Sequence, residues 1–125
     1  MARIVQLLDG IATAQFEINK PEIRIGRSPD SDIYIDDASV STHHCLIEVV
    51  EPKEENQPTA YFVRDLGSTN GTYVNIDRVE HQRLEHEDMI RVGLKNFKFI
   101  DEQSAKYVKT AKIKKSWIPG VYYTK

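Results

Sequence analysis

The chain has 125 residues, 29% of them charged and 40% hydrophobic, which suits one globular domain around one core rather than a disordered or membrane-embedded chain. The formal net charge of −2 hides a division: residues 1–102 hold all 19 Asp and Glu against 11 Lys and Arg (−8), whereas residues 103–125 hold six lysines and no acid (+6). An acidic body excludes a broad nucleic-acid surface, so any anion it binds must be held in a local pocket.

The N-terminal run Met1–Asp9 is interrupted by Arg3 and Gln6, too short and polar for a signal peptide or a membrane span. Within it Arg3–Leu8 reads as a strand, and the turn dipeptide Asp9-Gly10 separates it from a second, Ala14–Ile18. Glu22–Ile25 alternates polar and apolar, as a half-buried strand does, and Asp32–Ile35 is short and β-branched. Cys45–Val50 is nearly all apolar and suits a buried central strand. Cys45 is the sole cysteine, so no internal disulfide can form, and a reducing cytoplasm is the expected setting. A polar loop with two prolines, Glu51–Pro58, leads to Tyr61–Arg64. The turn-rich Gly67–Gly71 then precedes Thr72–Asn75, Arg78–Glu80, Arg83–Leu84, Met89–Val92 and Asn96–Ile100. No long helical pattern occurs in residues 1–102, and about ten short strands with regular turn signals point to an all-β sandwich or barrel. Residues 1–102 are therefore expected to form one β domain and residues 103–125 a basic tail, whose Trp117, Ile118, Val121, Tyr122 and Tyr123 suggest that its end packs on something.

Three segments carry chemistry: Ile25-Gly-Arg-Ser28, Ser41-Thr-His-His44 and Asp65-Leu-Gly-Ser-Thr-Asn-Gly-Thr72. Each falls between strands, in loops, where a β-sandwich gathers its binding groups. Together they supply a guanidinium, hydroxyls, an amide and backbone N–H groups at glycines. A phosphate dianion is bound by such a set: charge-assisted bonds from arginine, neutral donors for the remaining oxygens. Taken alone, Gly26-Arg27 is a turn with a solvated arginine and Asn70-Gly71 a hairpin turn. His43, His44 and Cys45 cannot converge on one metal, because neighbours on a strand face opposite ways. Ser41, His44 and Asp65 lack the nucleophile elbow and oxyanion hole of a hydrolase. No catalytic residue, metal or cofactor is expected.

The ordered set, Gly-Arg, then Ser-x-x-His, then Gly-Ser-Thr-Asn-Gly-Thr with Asn75 beyond it, resembles the forkhead-associated (FHA) domain family over residues 4–101. The resemblance implies a β-sandwich of about eleven strands whose apical loops bind phosphothreonine peptides. It implies that Arg27 grips the phosphate, Ser41 and Thr42 add hydroxyls, Thr69 bonds near the phosphothreonine and Asn70 fixes the peptide main chain. Gly26, His44 and Gly71 would shape the loops, and Asn75 would be a further peptide contact. Thr42 departs from the pattern: relatives often carry Arg, Lys or Asn there, and a hydroxyl brings no charge. The expected function is recognition of a phosphothreonine-containing partner of a Ser/Thr kinase pathway by a non-enzymatic, cytoplasmic monomer. Neither nucleic-acid binding nor membrane insertion is expected. Two alternatives stand beside it. One is a scaffold of the same fold that has lost phosphate binding and associates through a sheet face or its tail. The other makes the tail a basic anchor for anionic surfaces. Thr110, within the tail, is a candidate phosphorylation site that would dock in the Arg27–Ser41 pocket of its own or a neighbouring chain.

Overall fold

A computed structural model describes residues 2–54 and 57–102. The tail readings, Thr110 and the Trp117–Tyr123 cluster among them, lie outside the described residues. Eleven strands follow one another: β1 (Ala2–Leu8), β2 (Ile11–Glu17), β3 (Glu22–Gly26), β4 (Ile33–Tyr34), β5 (Cys45–Val50), β6 (Ala60–Asp65), β7 (Thr72–Val74), β8 (Asp77–Val79), β9 (His81–Leu84), β10 (Met89–Val92) and β11 (Lys95–Asp101). They form a six-stranded sheet, in the order β2-β1-β11-β10-β7-β8, and a five-stranded sheet, β4-β3-β5-β6-β9. The β3–β4 pair is parallel.

Alternation decides which face each strand buries. In β11 Phe97 and Phe99 are fully buried while Asn96 and Lys98 point away from the core. Ile4, Ile90 and Val92 join them from the same sheet, and Ile23, Ile25, Ile47 and Val63 face them from the other. The Tyr61 and Phe99 rings meet across the core, tilted 55° with centroids 5.2 Å apart. β5 lies in the middle of its sheet, and its Cys45, Leu46 and Ile47 are all buried, as the apolar run requires. Burial pushes the Cys45 thiol up to about 12, so it remains a protonated, unreactive core group.

Several strands run differently from their sequence patterns. β2 starts at Ile11 rather than Ala14 because Asp9 and Gly10 adopt positive φ (52° and 80°), a tight turn that pairs Leu8 directly with Ile11. β9 gains His81 and Gln82, which pair with Arg64 and Val63 although both side chains are exposed.

Candidate functional site

The strand register brings the three segments together. Ile25 pairs with Cys45, and Cys45 pairs with Asp65, so the end of β3, the start of β5 and the end of β6 share one edge of the sandwich. Three backbone bonds stitch the loops beyond that edge: the Arg27 N–H to the Ser41 carbonyl (3.0 Å), the Ser28 N–H to the Thr42 carbonyl (3.0 Å) and the Leu66 N–H to the His44 carbonyl (2.9 Å). Gly26 makes this approach possible. A Cβ there would collide with the Thr42 carbonyl oxygen and stand 3.2 Å from the His44 nitrogen. Both obstacles are backbone and cannot swing aside. Gly26→Ala is therefore expected to lower stability by about 1–3 kcal/mol and to displace Ser41 from its place. Urea denaturation read against the parent chain measures it; an unchanged midpoint would contradict the close-approach role.

His44 ties two of the loops to each other. The ring is fully buried. Its Nδ1 accepts the Ser41 N–H (3.0 Å) and its Nε2 lies 2.8 Å from the Gly71 carbonyl oxygen. Acceptance at Nδ1 leaves the ring proton on Nε2, where it donates to that carbonyl. Neither ring nitrogen engages the Ser41 hydroxyl or the Asp65 carboxylate, so the three residues do not form a hydrolytic relay.

The Ser41 hydroxyl oxygen instead accepts the Thr69 N–H (3.1 Å), so its own proton remains to be given to a ligand. The Arg27 side chain is exposed, and among the described residues it has no carboxylate partner. Thr42 and Thr69 are exposed beside it. Asn70 is exposed and donates from Nδ2 to the Ser39 carbonyl (2.8 Å), which braces the amide. Ser39 is itself held: its N–H (2.9 Å) and hydroxyl (2.6 Å) both donate to Asp37 Oδ1, and its oxygen accepts the Leu94 N–H (3.0 Å).

The sequence reading passed over the residue that organises the third segment. Asp65, weighed there only as a member of a hydrolase relay, is the hub of the β6–β7 loop. Its Oδ2 accepts the N–H groups of Gly67 and Ser68, each at 3.0 Å. Its Oδ1 accepts the hydroxyls of Ser68 (2.5 Å) and Thr72 (2.7 Å). The Ser68 oxygen then accepts the Gly71 N–H at 3.0 Å. Partial burial raises the Asp65 pKa, but the bonds from Ser68, Thr72 and Gly67 outweigh it and leave the carboxyl below its usual value. An Asp followed by Gly at the second position and Ser at the third is an Asx-turn signal that could have found it.

Arg27, Ser41, Thr42, Thr69, Asn70, Gly26, His44 and Gly71 thus lie in one loop cluster. Asn75 does not join it. It sits at the turn between β7 and β8, at the far end of β7 from Thr72, with φ 58°. Its amide is committed there: Nδ2 donates to Asp88 (3.1 Å) and Oδ1 accepts the Met89 N–H (3.0 Å). A left-handed turn favours asparagine for its own conformation, and the amide's bonds to Asp88 and Met89 give Asn75 a structural task there. Among the described residues no group of three or more His, Cys, Asp or Glu could hold a metal ion. Nor is any helix among them long and apolar enough to cross a membrane.

Comparison with known proteins adds to this geometry. The chain is 39% identical over 82 residues to the oxoglutarate dehydrogenase inhibitor of Corynebacterium efficiens, a match covering 66% of this chain and 53% of that protein. It thus spans about half the length of the curated relatives it matches. Among solved structures it resembles Mycobacterium tuberculosis EmbR in complex with a low-affinity phosphopeptide, with 31% identity, a TM-score of 0.66 and coverage of 79% of this chain and 24% of that one. It also resembles a domain solved in a study of phosphothreonine-dependent FHA domain interactions, with 29% identity, a TM-score of 0.66 and coverage of 81% and 97%. The FHA domain model matches residues 23–93, more than half of the chain and all three loop segments, and the chain belongs to the FHA domain family.

Proposed function

We propose that the chain is a phosphothreonine-peptide recognition module of Ser/Thr kinase signalling, cytoplasmic and without catalytic activity. One observation carries the reading: Arg27, exposed and free of carboxylates among the described residues, is joined through its backbone to Ser41, whose hydroxyl has its proton available. Arg27 grips the phosphate through paired N–H bonds, and Ser41 and Thr42 donate hydroxyls to its other oxygens. Thr69 and Asn70 meet the peptide main chain, Asn70 with its braced amide. Gly26, His44 and Gly71 hold the loops in place. Residues 1–102 form the recognition domain and 103–125 a basic appendage. The relatives support the reading: one is named an inhibitor of a dehydrogenase, and another was solved with a phosphopeptide. A scaffold that had lost phosphate binding would have no reason to keep an exposed arginine and an available serine hydroxyl on two loops bonded to each other.

Calorimetric titration with one peptide in three forms tests the assignment. The threonine methyl group is worth about 0.8 kcal/mol when buried, so phosphothreonine should bind at least roughly fourfold tighter than phosphoserine. The unphosphorylated form should bind barely at all. Equal affinity for the three would reject this mode.

A further inference from the structure

A row of side chains runs away from the loop cluster across the outer face of the six-stranded sheet. Arg91 on β10 pairs with Tyr73 on β7, and Tyr73 pairs with Arg78 on β8. Directly opposed residues share a face, so the three stand side by side, while Ile90, Val92, Thr72 and Val74 fill the opposite, buried face. The Arg91 guanidinium carbon lies 4.1 Å from the centre of the Tyr73 ring. Arg78 reaches back towards the loops: a Cβ on Gly71, one residue from Asn70, would be 2.7 Å from its Nε. The row therefore touches the backbone of the phosphopeptide site. Beyond it a shallow groove, lined by Tyr73, Asn75, Met89 and Arg91, continues to Ile76, which is 90% exposed.

Among the described residues the charges on this row lack carboxylate counterparts. Six basic side chains elsewhere (Arg3, Lys20, Arg24, Arg64, Lys95 and Lys98) lie within 4.0 Å of a carboxylate. Among the described residues Arg78 and Arg91 have no such partner. Two unpaired guanidiniums flanking a tyrosine are what an acidic segment would occupy, and Arg and Tyr are the side chains that most often anchor a partner chain.

Building on the proposed phosphothreonine reading, we infer that Arg78, Tyr73 and Arg91 form a second contact for the same ligand, selecting phosphothreonine partners with an acidic segment beside the modified residue. The segment leaves the loops past Gly71 and lays its carboxylates along the two arginines. The sign of the effect is diagnostic. The full chain has a formal net charge of −2, so net charge gives an acidic ligand no advantage, and the double variant separates the two arginines from the six tail lysines.

The test uses the full chain and two phosphothreonine peptides, one flanked on both sides by glutamates and its twin with glutamines. Two exposed ion pairs predict that the glutamate peptide binds roughly three- to tenfold tighter. In an Arg78→Gln/Arg91→Gln variant the ratio of the two affinities should fall to about one. Arg83→Gln removes the same charge from the other sheet, where Arg83 pairs with Phe62, and should keep the ratio. No glutamate advantage in the parent, an advantage that survives the double variant, or equal loss in Arg83→Gln each overturns the inference while leaving the phosphothreonine reading intact. Failure of the parent to bind either peptide defeats both.

Discussion

Arg27→Ala is expected to weaken binding of a matched phosphothreonine peptide by about 2–5 kcal/mol, a loss of roughly 30-fold to several-thousand-fold. The size follows from what the parent chain supplies. The guanidinium is held at the loop surface by its own backbone, through the N–H bond to the Ser41 carbonyl, and among the described residues no carboxylate neutralises it. Peptide binding would cover it and strengthen its bonds to the phosphate as water leaves. Truncation then leaves a dianion facing neutral hydroxyls alone. Folding should be little affected, because the side chain is exposed and Arg27 is not a member of the core cluster. Arg27→Lys separates charge from geometry. A lysine restores one positive point without the two-pronged donor set, and should recover only part of the loss. Titration of the three chains with one peptide, alongside their urea midpoints, gives the answer. Binding by Arg27→Ala equal to the parent would remove Arg27 from the site.

Periodicity reports burial, and this explains how much of the molecule was legible beforehand. Strands with one dry face, such as β3 and β11, could be placed to within about a residue because their alternation survives in the sequence. Edge strands lose that signal. β2 is exposed along most of its length, and its beginning is set by the Asp9-Gly10 turn rather than by its side chains. The binding loops were found by residue type and order, since Arg27 and Ser41 are functional groups whose identity is their signal. His44 was singled out as a framework residue, but not its full means of support, because its bond to the Gly71 carbonyl joins positions 27 residues apart. Asn75 stands apart from Asn70 for a related reason: proximity in sequence says nothing of strand β7 between them, which sets Asn75 at its far end from Thr72. Asp65 carries an Asx-turn spacing, but stands next to a second charge with a separate task. Arg64 pairs with Glu48 across the strands, so the adjacent charges Arg64 and Asp65 serve opposite faces and unrelated tasks.

Asp65→Asn is expected to cost about 2–4 kcal/mol of stability at neutral pH, and the cost should shrink in acid. The substitution keeps the shape of the side chain but replaces one acceptor oxygen with an NH2 group. That group meets either the N–H donors of Gly67 and Ser68 or the hydroxyls of Ser68 and Thr72, and cannot accept from them. The pH dependence has a definite sign. Burial acts to raise the carboxyl, yet hydrogen bonds from Ser68, Thr72 and Gly67 hold it below the ordinary aspartate value in the folded chain. A depressed folded pKa contributes stability that is fully present above the unfolded value and is lost as the pH falls through the folded one. The parent should therefore lose its advantage over Asp65→Asn below about pH 4, the range in which an unfolded aspartate takes up its proton. Comparison with the variant isolates Asp65 from Asp32, Asp37 and Glu48, whose carboxyls are also lowered and which titrate in both chains. Ligand binding should suffer with stability, because the same carboxylate shapes the loop that carries Thr69 and Asn70. Urea midpoints for the two chains at neutral and acid pH decide the matter. A stability gap that stays constant or widens in acid would show that the ionised carboxylate is not what holds the loop.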